Sequence, residues 1–98
     1  MSMAIQSFAD KATEEFFKTG RLTRKVSWAN IKKSVARKLD MIDYAAILSD
    51  LKSPPGNCLE ALTQDLVGYH SIRINVQWRV VFKWTKAGPA EVRVTDYH

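Results

Sequence analysis

The sequence has a single cysteine, Cys58, so it cannot form an internal disulfide, and a lone thiol is typical of a reducing compartment. It has no apolar run long enough to cross a bilayer. No apolar segment of the kind found in secretory signal peptides follows Met1. These absences predict a cytoplasmic protein that makes no contact with a membrane.

Motifs for metal ions and phosphate loops are also missing. The histidines, the cysteine and the carboxylates show none of the spacings of zinc sites, and no glycine-rich loop precedes a helix. No serine or cysteine is paired with a base as covalent catalysis requires, and we interpret Cys58 as a passive residue. The sequence therefore predicts a protein without a metal ion or other cofactor.

What is present suits one small basic domain. The 98 residues, 46% of them hydrophobic, predict a single domain over residues 1–98 with a net charge of +5. Basic residues are concentrated between positions 16 and 38, where no acidic residue occurs: Lys18, Arg21, Arg24, Lys25, Lys32, Lys33, Arg37 and Lys38. Such a region attracts nucleic acid or an acidic protein, and the alternative is a solvated face that keeps the protein soluble.

The first half of the chain has the patterns of helices. After a short predicted strand at residues 4–8, a helix is expected between an N-cap at Asp10 and a stop at Gly20. A longer helix is predicted to begin at an N-cap on Ser27. Behind Ser27, apolar residues recur at spacings of three and four and predict a core-facing stripe: Trp28, Ile31, Val35, Leu39 and Ile42. Lys32, Lys33 and Arg37 then point partly away from the core.

The second half has the patterns of strands. Two prolines and a glycine force a loop at residues 53–57, and a short strand is predicted close behind it. Residues 69–75 and 78–84 alternate between apolar and polar side chains, and a last strand is predicted at the end of the chain. His70 shares a face with Ile72 and Ile74, which favours a packing role. Short turns between strands predict an α+β fold, with N-terminal helices packed on a small, mainly antiparallel twisted sheet.

The final strand ends in three side chains that can carry chemistry, Asp96, Tyr97 and His98. Histidine transfers protons near neutral pH, although a frayed polar terminus is the alternative reading of a bare tripeptide. Basic residues also occur on the predicted strands, at Arg73, Arg79, Lys83 and Arg93. This set suits RNA cleavage, because RNA supplies its own nucleophile, the 2′-hydroxyl, and arginine matches the geometry of phosphate oxygens.

Several segments, in this order along the chain, resemble those of the HigB toxins, which belong to the RelE-like superfamily of bacterial toxin–antitoxin systems. The resemblance rests on Ser-Pro-Pro-Gly-Asn at residues 53–57, Leu-Glu-Ala-Leu at 59–62, and Tyr-His-Ser-Ile-Arg-Ile-Asn at 69–75. It continues with Gln-Trp-Arg at 77–79 and Asp-Tyr-His at 96–98. The match covers nearly the whole chain and keeps the order of the motifs.

The resemblance implies a toxin that enters the ribosomal A site and cleaves the bound mRNA without a metal ion. It implies a helix-turn-helix antitoxin, HigA, that neutralises the toxin and alone contacts operator DNA. Carried over residue by residue, it assigns Arg79 to the scissile phosphate and Asp96, Tyr97 and His98 to the cleavage site. Arg73 either contacts a phosphate or packs on the sheet. The exposed basic residues Lys32, Lys33 and Arg37 are predicted to bind ribosomal RNA or the antitoxin.

Two positions depart from the pattern of many HigB relatives. Thr63 stands where relatives have a lysine, and Glu60 stands where some have a histidine. Both replaced groups could act as a base or stabilise charge. A non-catalytic RNA- or ribosome-binding protein on the same scaffold is therefore the main alternative, and a small basic structural protein of a ribonucleoprotein is another.

Overall fold

The computed structural model describes residues 4–96. Two α-helices precede four strands: α1 (Lys11–Thr19), α2 (Lys32–Tyr44), β1 (Glu60–Ala61), β2 (Tyr69–Arg73), β3 (Trp78–Thr85) and β4 (Gly88–Asp96). The strands form one antiparallel sheet in the order β1-β2-β3-β4. The predicted α+β class, with helices ahead of an antiparallel sheet, is confirmed.

One hydrophobic core joins the helices to one face of the sheet. From α2 it takes Val35, Leu39 and Ile42, which are fully buried. From the sheet it takes alternate residues of β2, β3 and β4: Ile72, Trp78, Val80, Phe82, Val92 and Val94. Because side chains alternate across a strand, the residues between these face the other way. The sheet therefore has an inner face under the helices and an outer face opposite them.

Helix α1 begins and ends where the sequence predicts. The Oδ1 atom of Asp10 accepts a hydrogen bond from the Thr13 backbone N–H at 2.7 Å, which satisfies a donor of the first turn. Gly20 has a φ of +75°, and its N–H donates to the Phe16 carbonyl at 2.8 Å. Glycine adopts this left-handed conformation without a steric penalty, so it ends the helix cleanly.

Helix α2 begins later than predicted. Ser27 is not its N-cap, because a turn of 3-10 helix at Ala29–Ile31 comes first and α2 starts at Lys32. Ser27 and Asn30 are good capping residues, but neither is at the N-cap position of α2. Ile31 is at that position, and its side chain has no atom that can accept a hydrogen bond. The apolar stripe is nevertheless confirmed, since Trp28 is buried together with the inner residues of α2. The 3-10 turn extends the apolar stripe by one turn ahead of α2.

The predicted strand at residues 4–8 is present only as an extended segment. One parallel bridge, between Phe8 and Val92, is all that it contributes to the sheet. Backbone hydrogen bonds hold it along the edge of β4, including one from Gln6 N–H to the Pro89 carbonyl at 2.7 Å. A run this short and partly polar makes too few ladder bonds to count as a strand.

A buried polar contact fixes the proline loop to α2. Lys38 is only 6% exposed, and its ammonium donates to Oδ1 of the fully buried Asn57. The Asn57 amide in turn donates to the carbonyls of Leu51 and Ser53, at 3.1 and 3.3 Å. Burial lowers the pKa of Lys38, and the nearby charge of Arg37 lowers it further. Lys38 is therefore a structural residue and does not belong to the basic surface that the sequence suggests.

We predict that Asn57→Ala destabilises the fold by about 2 to 4 kcal/mol, because it leaves a buried ammonium and two carbonyls without partners. Urea denaturation followed by circular dichroism measures the change. Asn30→Ala is the matched control, because Asn30 is exposed and its loss should cost no more than about 0.5 kcal/mol. Equal stability of the two variants would mean that the buried contact contributes nothing.

Candidate active site

The outer face of the sheet carries two of the residues predicted to act on RNA, Arg73 and Arg79. Across the strands, Arg73 lies opposite Arg79, and Arg79 lies opposite Thr95. One pair further along, Val81 lies opposite Ser71 on one side and Arg93 on the other. All of these positions alternate with core residues. The sheet register therefore brings residues from three strands, distant in sequence, onto one surface.

Arg79 is on the face opposite the core, as alternation with Trp78 and Val80 predicts, but it is buried there, so its side chain is less free to meet a phosphate than we expected. It is only 7% exposed. Its Nε donates to Ser71 Oγ at 2.8 Å, and its Nη2 donates to the Cys58 carbonyl at 2.6 Å. The loop after residue 57 thus covers the guanidinium from one side. Alternation in the sequence gives the face of a side chain, but it does not show whether a loop covers it.

A hollow of about 200 Å³ lies on the outer face, and Ser71, which accepts a hydrogen bond from Arg79, is part of its lining. Its apolar lining comes from Leu62, Leu66 and Val81, and its polar lining from Ser71, Arg93, Thr95 and Asp96. Leu62 and Leu66 belong to the segment between β1 and β2, which therefore forms one wall. Thr63 and Gln64 lie in this wall, and Gln64 has a φ of +58°. Glycine adopts that left-handed conformation without a steric penalty, whereas glutamine rarely does.

Asp96 is at the rim of the hollow. It is exposed, ends β4, and accepts a hydrogen bond from Gln77 Nε2 at 3.1 Å. Gln77 is in the turn between β2 and β3, so this bond joins two corners of the sheet. Tyr97 and His98, which the sequence assigns to the same site, lie outside the described residues. The location of Asp96 nevertheless fixes where the chain leaves β4.

The other predicted RNA-binding residues are on two different surfaces. Arg73 is half-buried on the outer face, and its Nε donates to the Asn75 carbonyl at 3.1 Å. Lys32, Lys33 and Arg37 are exposed on α2, which covers the inner face of the sheet. The structure therefore does not bring the α2 cations together with the hollow. They form a separate surface on the helical side of the molecule.

The basic region before α2 is partly neutralised by α1. Lys18 forms a salt bridge with Glu14 at 2.9 Å, and Arg24 forms one with Glu15 at 3.2 Å. The hydrogen bond from Lys18 lowers the pKa of Glu14, and hydrogen bonds from Thr23 and then Arg24 lower the pKa of Glu15. Residues 16–38 contain no acidic side chain, but Glu14 and Glu15, just before them in the sequence, supply two. The net positive surface is therefore narrower than the run of eight basic residues suggests.

His70 has the packing role that the sequence favours. Its ring stacks on Phe82, with centroids 6.3 Å apart and an interplanar angle of 23°. Burial lowers its pKa, and its buried Nδ1 has no hydrogen-bond partner among residues 4–96. It lies on the inner face, since it precedes Ile72 by two residues. His70 is therefore on the wrong side of the sheet to replace the histidine that some relatives carry at position 60.

Sequence reasoning counted Arg93 among the strand cations that suit RNA cleavage, but it missed the contribution of Ser71 to this site. The signal for Ser71 was the alternation of β2, because it separates residues of the inner face. Within residues 4–96, no cluster of three or more His, Cys, Asp or Glu residues is arranged to hold a metal ion. No helix in that part of the chain has both the length and the apolar character needed to span a bilayer.

We predict that Arg79→Ala lowers the free energy of unfolding by about 2 to 3 kcal/mol, because it leaves the Ser71 hydroxyl and the Cys58 carbonyl without their hydrogen-bond donor. Chemical denaturation measures this directly. Arg21→Ala, at an exposed arginine, is the control and should leave stability within about 0.5 kcal/mol of the wild type. An Arg79→Ala variant as stable as the wild type would contradict the structural role of the guanidinium.

Comparisons with known proteins identify the family of the chain. Residues 6–98 match the model of the HigB-like toxin family, described as the RelE-like toxin of type II toxin–antitoxin system HigB. The chain is 40% identical over 82 residues to Toxin HigB-1 of Vibrio cholerae, covering 84% of each protein. It is 38% identical over 79 residues to an uncharacterized protein of Haemophilus influenzae, covering 81% of this chain and 77% of the relative. The chain therefore belongs to the HigB-like family and is a RelE-like toxin of a type II toxin–antitoxin system.

Proposed function

We propose that this toxin is a ribosome-dependent endoribonuclease that cleaves mRNA in the A site without a metal ion and so inhibits translation. It acts in the cytoplasm, where ribosomes are found. The observation that supports the proposal best is the position of Asp96, at the rim of a hollow that also contains arginine and hydroxyl groups. Tyr97 and His98 follow it directly in the sequence.

The reaction uses the nucleophile that RNA carries. A base removes the proton of the 2′-hydroxyl, the 2′-oxygen attacks the adjacent phosphorus, and the bond to the 5′-oxygen breaks as that oxygen gains a proton. The products are a 2′,3′-cyclic phosphate and a 5′-hydroxyl. We assign one of the two proton transfers to His98, because imidazole titrates near neutral pH. Asp96 orients the attacking groups, and Tyr97 stacks on a base or donates its hydroxyl proton.

Arg79 acts on the scissile phosphate through a charge held in place. Its hydrogen bonds to Ser71, which lines the hollow, and to the Cys58 carbonyl hold the guanidinium in one position. A positive charge that needs no reorganisation stabilises the negative charge that builds up on the phosphate oxygens. Arg73, opposite Arg79 on the neighbouring strand, extends this positive region toward the next phosphate.

The partner of the toxin is an antitoxin, and we propose that it is of the helix-turn-helix HigA kind. A short helix-turn-helix protein encoded beside this chain would support that assignment. The α2 cations Lys32, Lys33 and Arg37, which lie on the helical side, are proposed to dock on ribosomal RNA. Docking there leaves the outer face of the sheet turned toward the mRNA.

A non-catalytic ribosome-binding protein remains the second candidate. It is favoured by Thr63 and Glu60, which stand where HigB relatives supply a lysine or a histidine, and by the engagement of Arg79 with its own fold. Such a protein would bind programmed ribosomes and block the A site without breaking the mRNA. Analysis of the mRNA ends after binding distinguishes the two candidates.

We expect the purified protein to cleave mRNA in a programmed bacterial ribosome and to leave the same free RNA largely intact, because a sparse catalytic set depends on positioning. His98→Gln should slow cleavage about a hundredfold or more, through loss of a proton-transfer group. Tyr97→Phe, which keeps the ring, is the companion variant. Equal cleavage of free and ribosome-bound RNA, or full activity of His98→Gln, would contradict the proposal.

We also expect Lys32→Glu with Lys33→Glu to weaken ribosome binding, and the addition of Arg37→Glu to weaken it further. Each lost phosphate contact should reduce the slope of log affinity against log salt by about 0.7 to 0.9. The control is Lys52→Glu with Lys86→Glu, which changes the net charge equally at exposed positions away from α2. Sedimentation with ribosomes measures binding, and equal loss in both double variants would mean that only net charge matters.

A further inference from the structure

The guanidinium of Arg93 has no protein partner among residues 4–96. Arg93 lies on β4 between the core residues Val92 and Val94, so its side chain is on the outer face. The residue is half-buried and lines the hollow, and its side chain makes no hydrogen bond or salt bridge within the described part of the chain. Guanidinium donors in a partly enclosed site need acceptors, and here water or a ligand must supply them.

The other arginines of the outer face differ in this respect. Arg79 donates to Ser71 and to the Cys58 carbonyl, and Arg73 donates to the Asn75 carbonyl. Some of the guanidinium N–H groups of Arg79 and Arg73 are therefore already hydrogen-bonded within the protein. Arg93 keeps its planar fork available, and a phosphate matches that fork with two parallel hydrogen bonds.

The surroundings of Arg93 suit a nucleotide better than an isolated anion. Leu62, Leu66 and Val81 provide an apolar lining on which a base can pack, and Thr95 adds a hydroxyl. Asp96 is also at this hollow, and its carboxylate repels an anion placed beside it. The Arg93 end of the hollow therefore favours an anion, and the Asp96 end disfavours one.

We propose that Arg93 binds an mRNA phosphate in this hollow, with the flanking base on the apolar lining. The proposal rests on the proposed function, because it takes mRNA as the ligand. It divides the work of the arginines: Arg79 supplies a fixed charge from within the fold, and Arg93 makes the direct contact.

The test compares Arg93→Gln, Arg93→Lys and the control Lys86→Gln, which removes one charge at the exposed turn between β3 and β4. Single-turnover cleavage of ribosome-bound mRNA should fall about tenfold to a hundredfold for Arg93→Gln, by loss of a charge-assisted contact. Arg93→Lys should retain part of the rate, because it keeps the charge and loses the fork. Lys86→Gln should match the wild type.

A binding measurement separates this proposal from the proposed function. Ribosomes are prepared either with an mRNA that ends at the P-site codon or with one that fills the A site and carries a 2′-deoxy sugar at the cleavage position. The gain in affinity from the filled A site reports contacts to mRNA, with no need for cleavage. Arg93→Gln should lose most of that gain and reduce its salt slope by about 0.7, as expected for one phosphate of a single strand.

The outcomes are distinct. If the wild type binds the filled A site but does not cleave a normal mRNA, the proposed nuclease function fails and the assignment of Arg93 is still decided by the affinity gain. If Arg93→Gln cleaves and binds like the wild type, the proposal for Arg93 is wrong. Thermal unfolding of each variant checks folding, and Arg93→Lys carries the test if Arg93→Gln proves unstable.

Discussion

The buried guanidinium of Arg79 is the contact on which the arrangement of the site depends. It joins β3 to β2 through Ser71 and joins the sheet to the loop through the Cys58 carbonyl. One residue earlier in the loop, Asn57 holds the ammonium of Lys38 in α2. A continuous series of polar contacts thus runs from the helical layer, through the proline loop, to the outer face of the sheet. Buried polar groups of this kind specify one arrangement, because leaving any member unpaired is costly.

This construction separates the two kinds of positive charge in the protein. Cations held by the fold, such as Lys38 and Arg79, fix the distances between elements and cannot follow a ligand. Cations on the surface, such as Lys32 and Lys33, can adapt to a partner, and several of their neighbours are already paired with α1 carboxylates. The high net charge of the chain therefore overstates the charge available to an RNA. The position of each cation relative to the sheet matters more than the total.

The sequence predicted the elements of the fold well because their signals are local. The side chain of Asp10, the missing Cβ of Gly20 and the alternation around Ile72 each act within a few residues. The start of α2 was mistaken because a good cap residue, Ser27, is followed by a turn of 3-10 helix that no short-range pattern reveals. The burial of Arg79 was not predicted because it depends on the loop around Cys58, which is distant in sequence. The position of Asp96 at the hollow follows from strand register, which alternation alone leaves undetermined.

The extended N-terminal segment has a consequence for how partners approach. Besides its bond to Pro89, it is tied to β4 through the Ser7 carbonyl, which accepts from Val92, and the Ser7 hydroxyl, which accepts from Glu91. One margin of the sheet is therefore already occupied by the chain itself. The opposite margin is β1, which offers only Glu60 and Ala61. Recognition by adding a strand requires a row of open backbone groups. Within residues 4–96, neither margin offers a long row of open backbone groups, so side chains on the two faces make up most of the surface that a partner can recognise.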